Sequence, residues 1–272
     1  MSGEPRRPPP PAAPPGKAAG RTVLICAALP IELGAAVRRG RPRLGGFAAA
    51  WGPRPGEPVP VAYAALGIGR AACERTLGAL CEQLQPCAVA MVGLAGGCQP
   101  GLGTGALVLG TLLVCDPATG PGGAPLAGRG PLAPDPLTLA AVRRAARAAR
   151  RPLVEGTIAS TAVIATPSAK ASLGRHLGAE ACDMESYWAA RLVLGRGLPF
   201  VAVRAVFDPL GMRLPPVPPD GLGRALLRRP GLALGLPGLA LRLWRCRRAL
   251  APLVRALPAA LAGPPAPGPA PQ

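Results

Sequence analysis

Apolar residues along the chain fall into short continuous runs, and between them lie stretches in which apolar positions recur at helical spacing. "RTVLICAAL" (Arg21 to Leu29) is a run of the buried-strand type, and "PIELGAAVRR" after it carries Pro30 and Glu32 where a helix would begin. "VPVAYAALGIGRAACERTLGALCEQL" repeats the order as a strand, a Gly-x-Gly turn at Gly67 and Gly69, and a helix. "PCAVAMVGLAGG" and "GALVLGTLLVCD" predict two more strands, and "LTLAAVRRAARAAR" a helix with its arginines outward. "LVEGTIAST" predicts a strand and "TPSAKASLGRHLG" a helix whose solvated face runs from Lys170 to His176. "AEACDMESYWAARLVLGRG" reads as a strand running into a helix, and "LPFVAVRAVFDP" as a closing buried strand. The alternation predicts an α/β fold: a mixed, largely parallel central sheet with helices on both faces, in three α/β/α layers. Cys87 to Cys115 is uncharged for 29 residues, long enough to raise a transmembrane helix. Seven glycines and a proline divide it, so two strands around "GLAGGCQPGLGTG" are the expectation.

The ends follow neither pattern. Residues 1–20 contain seven prolines, and the last stretch, "AGPPAPGPAPQ", has the same character, so both are expected to be disordered. The expected organisation is a leader over 1–20, a catalytic domain over 21–221, a basic Leu/Arg-rich helical arm over 222–262 and a tail over 263–272. Pro230, Pro237 and Pro252 are expected to break the arm into pieces.

A formal charge of +18 suggests nucleic acid or membrane as a partner. Aromatic residues amount to 3%, leaving few platforms on which bases could stack, so nucleic acid is not expected. The excess is also local, because after Asp220 there are eight arginines and no acid. The arm is therefore expected either to cover the mouth of the site as a basic helical hairpin or to touch a membrane surface, its stripe being Leu239, Leu243, Cys246 and Leu250. None of the eight cysteines forms a C-x-x-C pair and no export signal is evident, so a reduced, cytoplasmic setting is expected, peripheral to the inner face of the membrane if the arm binds there. The one histidine, His176, leaves no His-based metal cluster and no Ser-His-Asp triad to expect, so metal ligands and cofactors are expected to be absent.

Chemistry must then rest on carboxylates, of which there are 13 in all. Glu32, Gly67, Gly93, Glu185 and Asp208 each follow a strand, where open α/β sheets gather ligands. Each acid has a plain structural explanation: Glu32 and Asp183 or Glu185 complementing helix N-termini, Asp208 before Pro209 serving a turn. Together, in an acid-poor chain, they suggest a shared site.

These motifs resemble the nucleoside phosphorylase/nucleosidase superfamily, methylthioadenosine/S-adenosylhomocysteine nucleosidase in particular, over about Val23 to Asp220. "ICAALPIEL" resembles the family's first strand and glutamate-bearing turn, "LGIGR" its "GIGK" turn, and "VGLAGGCQPGLGTGALVLG" its "GSAGGL…GDIV" loop. "CDMES" followed by "LPFVAVRAVFDP" is similar to "VEMEG…PFVVVRAISD". Within the superfamily the chain looks most like the hopanoid-associated phosphorylases, bacterial enzymes linked to removing adenine from adenosylhopane, in which a triterpene is joined through the ribose 5′ carbon.

The resemblance implies cleavage of an N-glycosidic bond through an oxocarbenium-like ribosyl cation. It makes Asp208 the acid that protonates N7 of the departing adenine, Glu32 the base for the attacking water, and Glu185 the grip on the ribose 2′ and 3′ hydroxyls. Met184 would lie against the sugar, Gly96 beside the substrate, and Asp183 behind as a structural acid. The family's serine is replaced by Leu94, Met91 stands where an arginine would be expected, and no stacking aromatic is present near "ASTAVIA". Val163 or Ile164 is expected to supply an apolar wall, and Phe207 to narrow the base pocket or stack on the base. Gly67 and Arg70 could still receive an anion. Hydrolysis is the expectation, with phosphorolysis, using phosphate as co-substrate, as the alternative. A catalytically silent nucleoside- or lipid-binding relative remains a reading of another class. The expected partners are a small nucleoside, a lipid nucleoside being one form of it, and further copies of the chain in a homo-oligomer.

Overall fold

The computed structural model describes residues 22–34, 49–51, 59–116, 130–214 and 236–263. The expected leader, the tail beyond residue 263 and the first part of the arm lie outside these residues. The strands are β1 (Val23–Ala27), β2 (Ala49–Trp51), β3 (Val61–Ala65), β4 (Ala88–Gly97), β5 (Leu107–Cys115), β6 (Leu153–Ser160), β7 (Ala179–Asp183) and β8 (Phe200–Asp208). The helices are α1 (Pro30–Leu33), α2 (Arg70–Leu84), α3 (Pro136–Ala148), α4 (Pro167–Leu177), α5 (Ser186–Leu194) and α6 (Leu236–Leu261).

Each predicted strand of the core is present and so are its helices, although of the one expected over "PIELGAAVRR" only Pro30–Leu33 is helical among the described residues and the part beyond Gly34 lies outside them. Cys87 to Cys115 is β4 and β5 with their connecting loop, as expected. The sheet runs β2-β3-β1-β4-β7-β6-β5-β8, and β8 returns to pair with β4. Pairs β1–β3, β1–β4, β4–β8, β5–β6 and β6–β7 are parallel, while β2–β3, β4–β7 and β5–β8 are antiparallel. The last five strands therefore close on themselves. β4 follows β8 from Val89↔Phe200 to Gly96↔Asp208, with a bulge at Ala95/Gly96, and meets β7 only through Gly96↔Cys182 and Gly97↔Ala181. That closure brings the carboxyl-terminal end of β8 beside the end of β7.

Side chains alternate across the strands with period two. Leu24 and Cys26 pack toward α2 and α5, whereas Val23, Ile25 and Ala27 pack toward α3 and α6. In β8, Phe200 and Ala202 face one way, and Val201, Val203 and Ala205 the other. The helices start where the sequence provides caps: the Asp135 carboxylate accepts from Thr138 N at 2.9 Å, and Thr166 Oγ1 from Ala169 N at 3.3 Å, with a proline following each. All eight cysteines are free thiols, and six of them are buried.

Two expectations fail. The arm does not break at Pro252: α6 is one helix of 26 residues with Pro252 and Pro258 inside it. Cys246, Leu250, Leu253 and Leu257 lie on one face and are buried against the sheet. Three buried leucines contribute roughly 1.5–3 kcal/mol each, which offsets the penalty of about 3 kcal/mol for a proline in a helix interior. The stripe at Cys246 and Leu250 is thus spent on the protein's own core. Nor is Lys170 on a solvated face, since it is fully buried. Among the described residues no helix is long and apolar enough to cross a membrane.

Candidate active site

A cavity of about 240 Å³ opens at the carboxyl ends of the strands, and its lining includes Glu32, Gly96, Met184, Glu185, Phe207 and Asp208. Each acid arrives from a different strand: Glu32 after β1, Glu185 after β7, and Asp208 as the last residue of β8.

Glu32 sits on the short helix after β1. Its Oε2 accepts from Leu29 N at 2.7 Å, the return half of a capping arrangement, and its Oε1 crosses to Leu94 N on β4 at 2.9 Å. One oxygen therefore does what a helix-capping acid would do, and the other ties the carboxylate to the cavity wall. Burial raises its pKa, although Arg204 and the backbone donors oppose this. Gly93 makes room for the arrangement. At φ +145° it adopts a conformation open to glycine, and a Cβ there would lie 2.9 Å from Glu32 Oε1 and 2.8 Å from Arg204 Nη1.

Glu185 is buried, and its Oε1 accepts from Gly69 N at 2.7 Å. Its pKa is pushed up to about 7, first by burial and then by the neighbouring Asp183 carboxylate, against the pull of Arg204. Asp183, also in the cavity lining, is tied to the backbone beside it. Its Oδ1 accepts from Ser160 Oγ at 2.7 Å and from the amides of Glu185 and Ser186 at 3.2 and 3.1 Å, closing the start of α5.

Arg204, in the middle of β8, is the shared counter-charge. It is fully buried, with Nη2 2.5 Å from Asp183 Oδ2 and 3.8 Å from Glu185 Oε2, and Nε donating to Ser186 Oγ at 3.0 Å. Its charge also acts on Glu32. One guanidinium beneath three carboxylates lets them crowd the same dry wall.

Asp208 pairs with Lys170, whose Nζ lies 2.8 Å from Oδ2. Burial raises the Asp208 pKa and Lys170 lowers it, with burial prevailing. Sequence reasoning missed both buried cations. The signal for Arg204 was present: a charge at the centre of "FVAVRAVF", a run otherwise wholly apolar. The signal for Lys170 was weaker, a lone lysine in an arginine-rich chain.

Of the remaining expected residues, Ile164 borders the cavity, but Val163 does not and is 68% exposed. Gly67 and Arg70 are not brought to the cavity. The Gly67 amide donates to Ala28 O at 3.0 Å. Arg70 donates to Glu74 at 3.1 Å, lies 4.4 Å over the Trp188 ring, and faces a separate cleft with Arg191 and Arg196. Met91 is in the core, on the α2/α5 side. Among the described residues α6 does not line this cavity. It borders a larger one of about 510 Å³, whose lining includes Glu32, Tyr63, Trp244 and Arg247.

Fold and site together define a protein of the nucleoside phosphorylase and nucleosidase kind. The chain belongs to the phosphorylase superfamily, whose family model matches residues 33–214. No curated protein matches it in sequence. Among solved structures it is similar to 5′-methylthioadenosine/S-adenosylhomocysteine nucleosidase from Neisseria meningitidis, with 21% identity over 87% of this chain and 98% of that one and a TM-score of 0.67. The Helicobacter pylori nucleosidase with butyl-thio-DADMe-Immucillin-A gives 19% identity, 86% and 98% coverage and a TM-score of 0.64. Futalosine hydrolase of Helicobacter pylori gives 18%, 86% and 97%, and a TM-score of 0.65.

Proposed function

We propose that the chain is an enzyme that hydrolyses the N-glycosidic bond of an adenine nucleoside carrying a bulky apolar 5′ substituent, with adenosylhopane as the substrate in hopanoid biosynthesis. The observation that carries this reading is the meeting of Glu32, Glu185 and Asp208 in one small cavity, each carboxyl with its pKa raised by burial. The solved relatives named above support the reaction class, since their ligands and names are those of nucleoside-cleaving enzymes.

In this mechanism Asp208 gives its proton to N7 of the base as the C1′–N9 bond breaks, and that bond's electron pair leaves with adenine. Glu185 accepts hydrogen bonds from the ribose hydroxyls and lies against the cationic sugar, an interaction that grows toward the transition state. Glu32 takes a proton from the water that closes on C1′. Met184 and Phe207 pack around sugar and base.

Water rather than phosphate is the acceptor. No arginine or lysine is among the described residues lining the cavity, and both buried cations behind it are already paired. Leu94 presents its amide to Glu32 and has no hydroxyl to offer.

The apolar 5′ group rests on the rim. Of the eight exposed large hydrophobic residues among those described, Leu29, Ile68 and Ile164 line the cavity, one each from the β1–α1, β3–α2 and β6–α4 turns. The cavity's 240 Å³ falls short of the roughly 300–1,000 Å³ of a site that engulfs its ligand, so part of the substrate extends over that rim.

Adenine release from adenosine, 5′-methylthioadenosine and adenosylhopane, with and without phosphate, tests both points. The expected kcat/KM rises with the apolar size of the 5′ group and is indifferent to phosphate. Strict dependence on phosphate would sink hydrolysis, and a preference for adenosine would sink the lipid substrate.

The peripheral membrane contact of α6 uses its exposed Leu241 and Trp244 with Arg245 and Arg248 beside them, along the edge of the larger cavity. Sedimentation with anionic liposomes is expected to carry the protein down and to lose most of it on Trp244→Ala with Arg248→Ala. Equal sedimentation of wild type and variant would remove α6 from any membrane role.

A further inference from the structure

Helix α4 buries two residues, Leu173 and Lys170, so one of its two innermost side chains is a lysine. An apolar residue would fill that place without dehydrating a charge, and a buried ion pair is by itself weak evidence of a stabilising role. The surroundings of the ammonium say what it does instead. Nζ lies 2.8 Å from Asp208 Oδ2, 3.2 Å from Asp208 O, 2.7 Å from Pro209 O and 2.9 Å from Met212 O. Four acceptors surround three protons. Three of them are backbone carbonyls that accept whatever the charge on Asp208, so the lysine stays in place when the carboxyl is neutral. Its stem runs past Gly96, where a Cβ would lie 3.0 Å from Lys170 Cδ and 3.3 Å from Asp208 Oδ2.

We propose that Lys170 is the positioning residue of the acid: it holds Asp208 by Oδ2, leaves Oδ1 for the departing base, and stabilises the carboxylate that remains once the proton has gone. This rests on the reading of Asp208 as general acid. In the step itself the Oδ1–H bond breaks and N7–H forms, and the O–H electron pair stays on the carboxylate. The C1′–N9 pair enters the adenine ring, and Lys170 keeps all three of its protons. Glu32 takes the proton of the attacking water and releases it to solvent, and solvent returns a proton to Asp208.

The other charged and titratable groups acting on Asp208 are few. From α6 come Arg242, whose Nη1 donates to Thr104 Oγ1 at 2.7 Å, and the Cys246 thiol. From β7 comes the Cys182 thiol, with Cys98 beside it. Lys170 is the only one of these in direct contact with the carboxylate. Its removal therefore takes away the largest influences opposing burial, leaving Arg242 and a backbone hydrogen bond, and makes Asp208 a weaker acid.

The test uses the full chain as wild type, Lys170→Met, Lys170→Arg and Asp208→Asn. Difference infrared titration of carboxyl groups, with the Asp208 band assigned by its loss in Asp208→Asn, is expected to show Asp208 deprotonating at higher pH in Lys170→Met than in wild type. This readout needs no turnover, and an unmoved band overturns the proposal. With 5′-methylthioadenosine, Lys170→Met is expected to lower kcat by about 10²-fold or more with KM within about threefold. The basic limb of kcat moves to higher pH, and Lys170→Arg recovers part of the loss. Wild-type kcat and an unmoved pH profile overturn the proposal while leaving Asp208 as the acid. Persistent turnover in Asp208→Asn overturns the acid itself. Should Lys170→Met fail to fold by circular dichroism, Lys170→Arg decides: a lowered kcat with near wild-type titration supports positioning, and wild-type kcat overturns it.

Discussion

Asp208→Asn is expected to release adenine on the order of 10²–10⁴-fold more slowly than wild type, with KM little changed. Asparagine keeps the shape of the protonated acid and can still offer a hydrogen bond to N7, but it has no proton to give at neutral pH. The departing purine would then have to leave as an anion. The same substitution removes the carboxyl whose ionised form pairs with Lys170. Losing one member of a buried pair typically costs 3–5 kcal/mol, but the three backbone carbonyls around Nζ continue to satisfy the ammonium. The expected melting temperature is therefore lower than wild type, with the fold retained by circular dichroism. Following adenine release and the thermal melt on the same preparation separates a chemical from a structural loss. Turnover near the wild-type rate in a folded variant would place the acid elsewhere.

Much of this site was legible in the sequence because strands of an α/β sheet present their ends on a common edge. Glu32, Glu185 and Asp208 each stand at or just after the end of a predicted strand, and that position, in a chain poor in acids, suggested one shared site. What periodicity could not show is how the sheet closes. β4 changes partner at Gly96, from β8 alone to β7 as well, and nothing in "VGLAGG" announces that pairing. The three-residue β2 also escaped notice, since an antiparallel edge strand of that length leaves no pattern to count. Lys170 was misassigned for a related reason. Helical spacing places it with Arg175 and His176 on one stretch of α4, and only the approach of the β8 end turns it into a buried ligand of Asp208. Val163 and Ile164 are neighbours of equal hydrophobicity, and the turn after β6 brings only the second to the cavity. The continuity of α6 reflects a balance of energies, in which tertiary burial of leucines overrides the local cost of two prolines.

Glu185→Gln is expected to destroy activity while making the protein relatively more stable as pH rises. The carboxylate that faces the developing ribosyl cation becomes a neutral amide, so kcat/KM should fall by about 10²–10³-fold, the usual scale for removing one transition-state electrostatic contact. In wild type, kcat/KM should climb as pH rises through about 7, where Glu185 ionises in the free enzyme. The stability argument follows from the same shift. A carboxyl raised from 4.5 to about 7 binds more protons folded than unfolded between those values. Stability therefore falls as pH climbs through that window and levels off above it. The unfavourable contribution is absent below the unfolded pKa and complete above the folded one, on the order of 3 kcal/mol at most. Glutamine does not titrate, can still accept from Gly69 N, and leaves Arg204 paired with Asp183. The difference in melting temperature, variant minus wild type, should consequently become more positive between pH 5 and pH 8. A difference that stays flat across that range would mean that Glu185 is ionised throughout, already balanced by Arg204, and that the site does not hold the strained carboxylate on which transition-state stabilisation here depends.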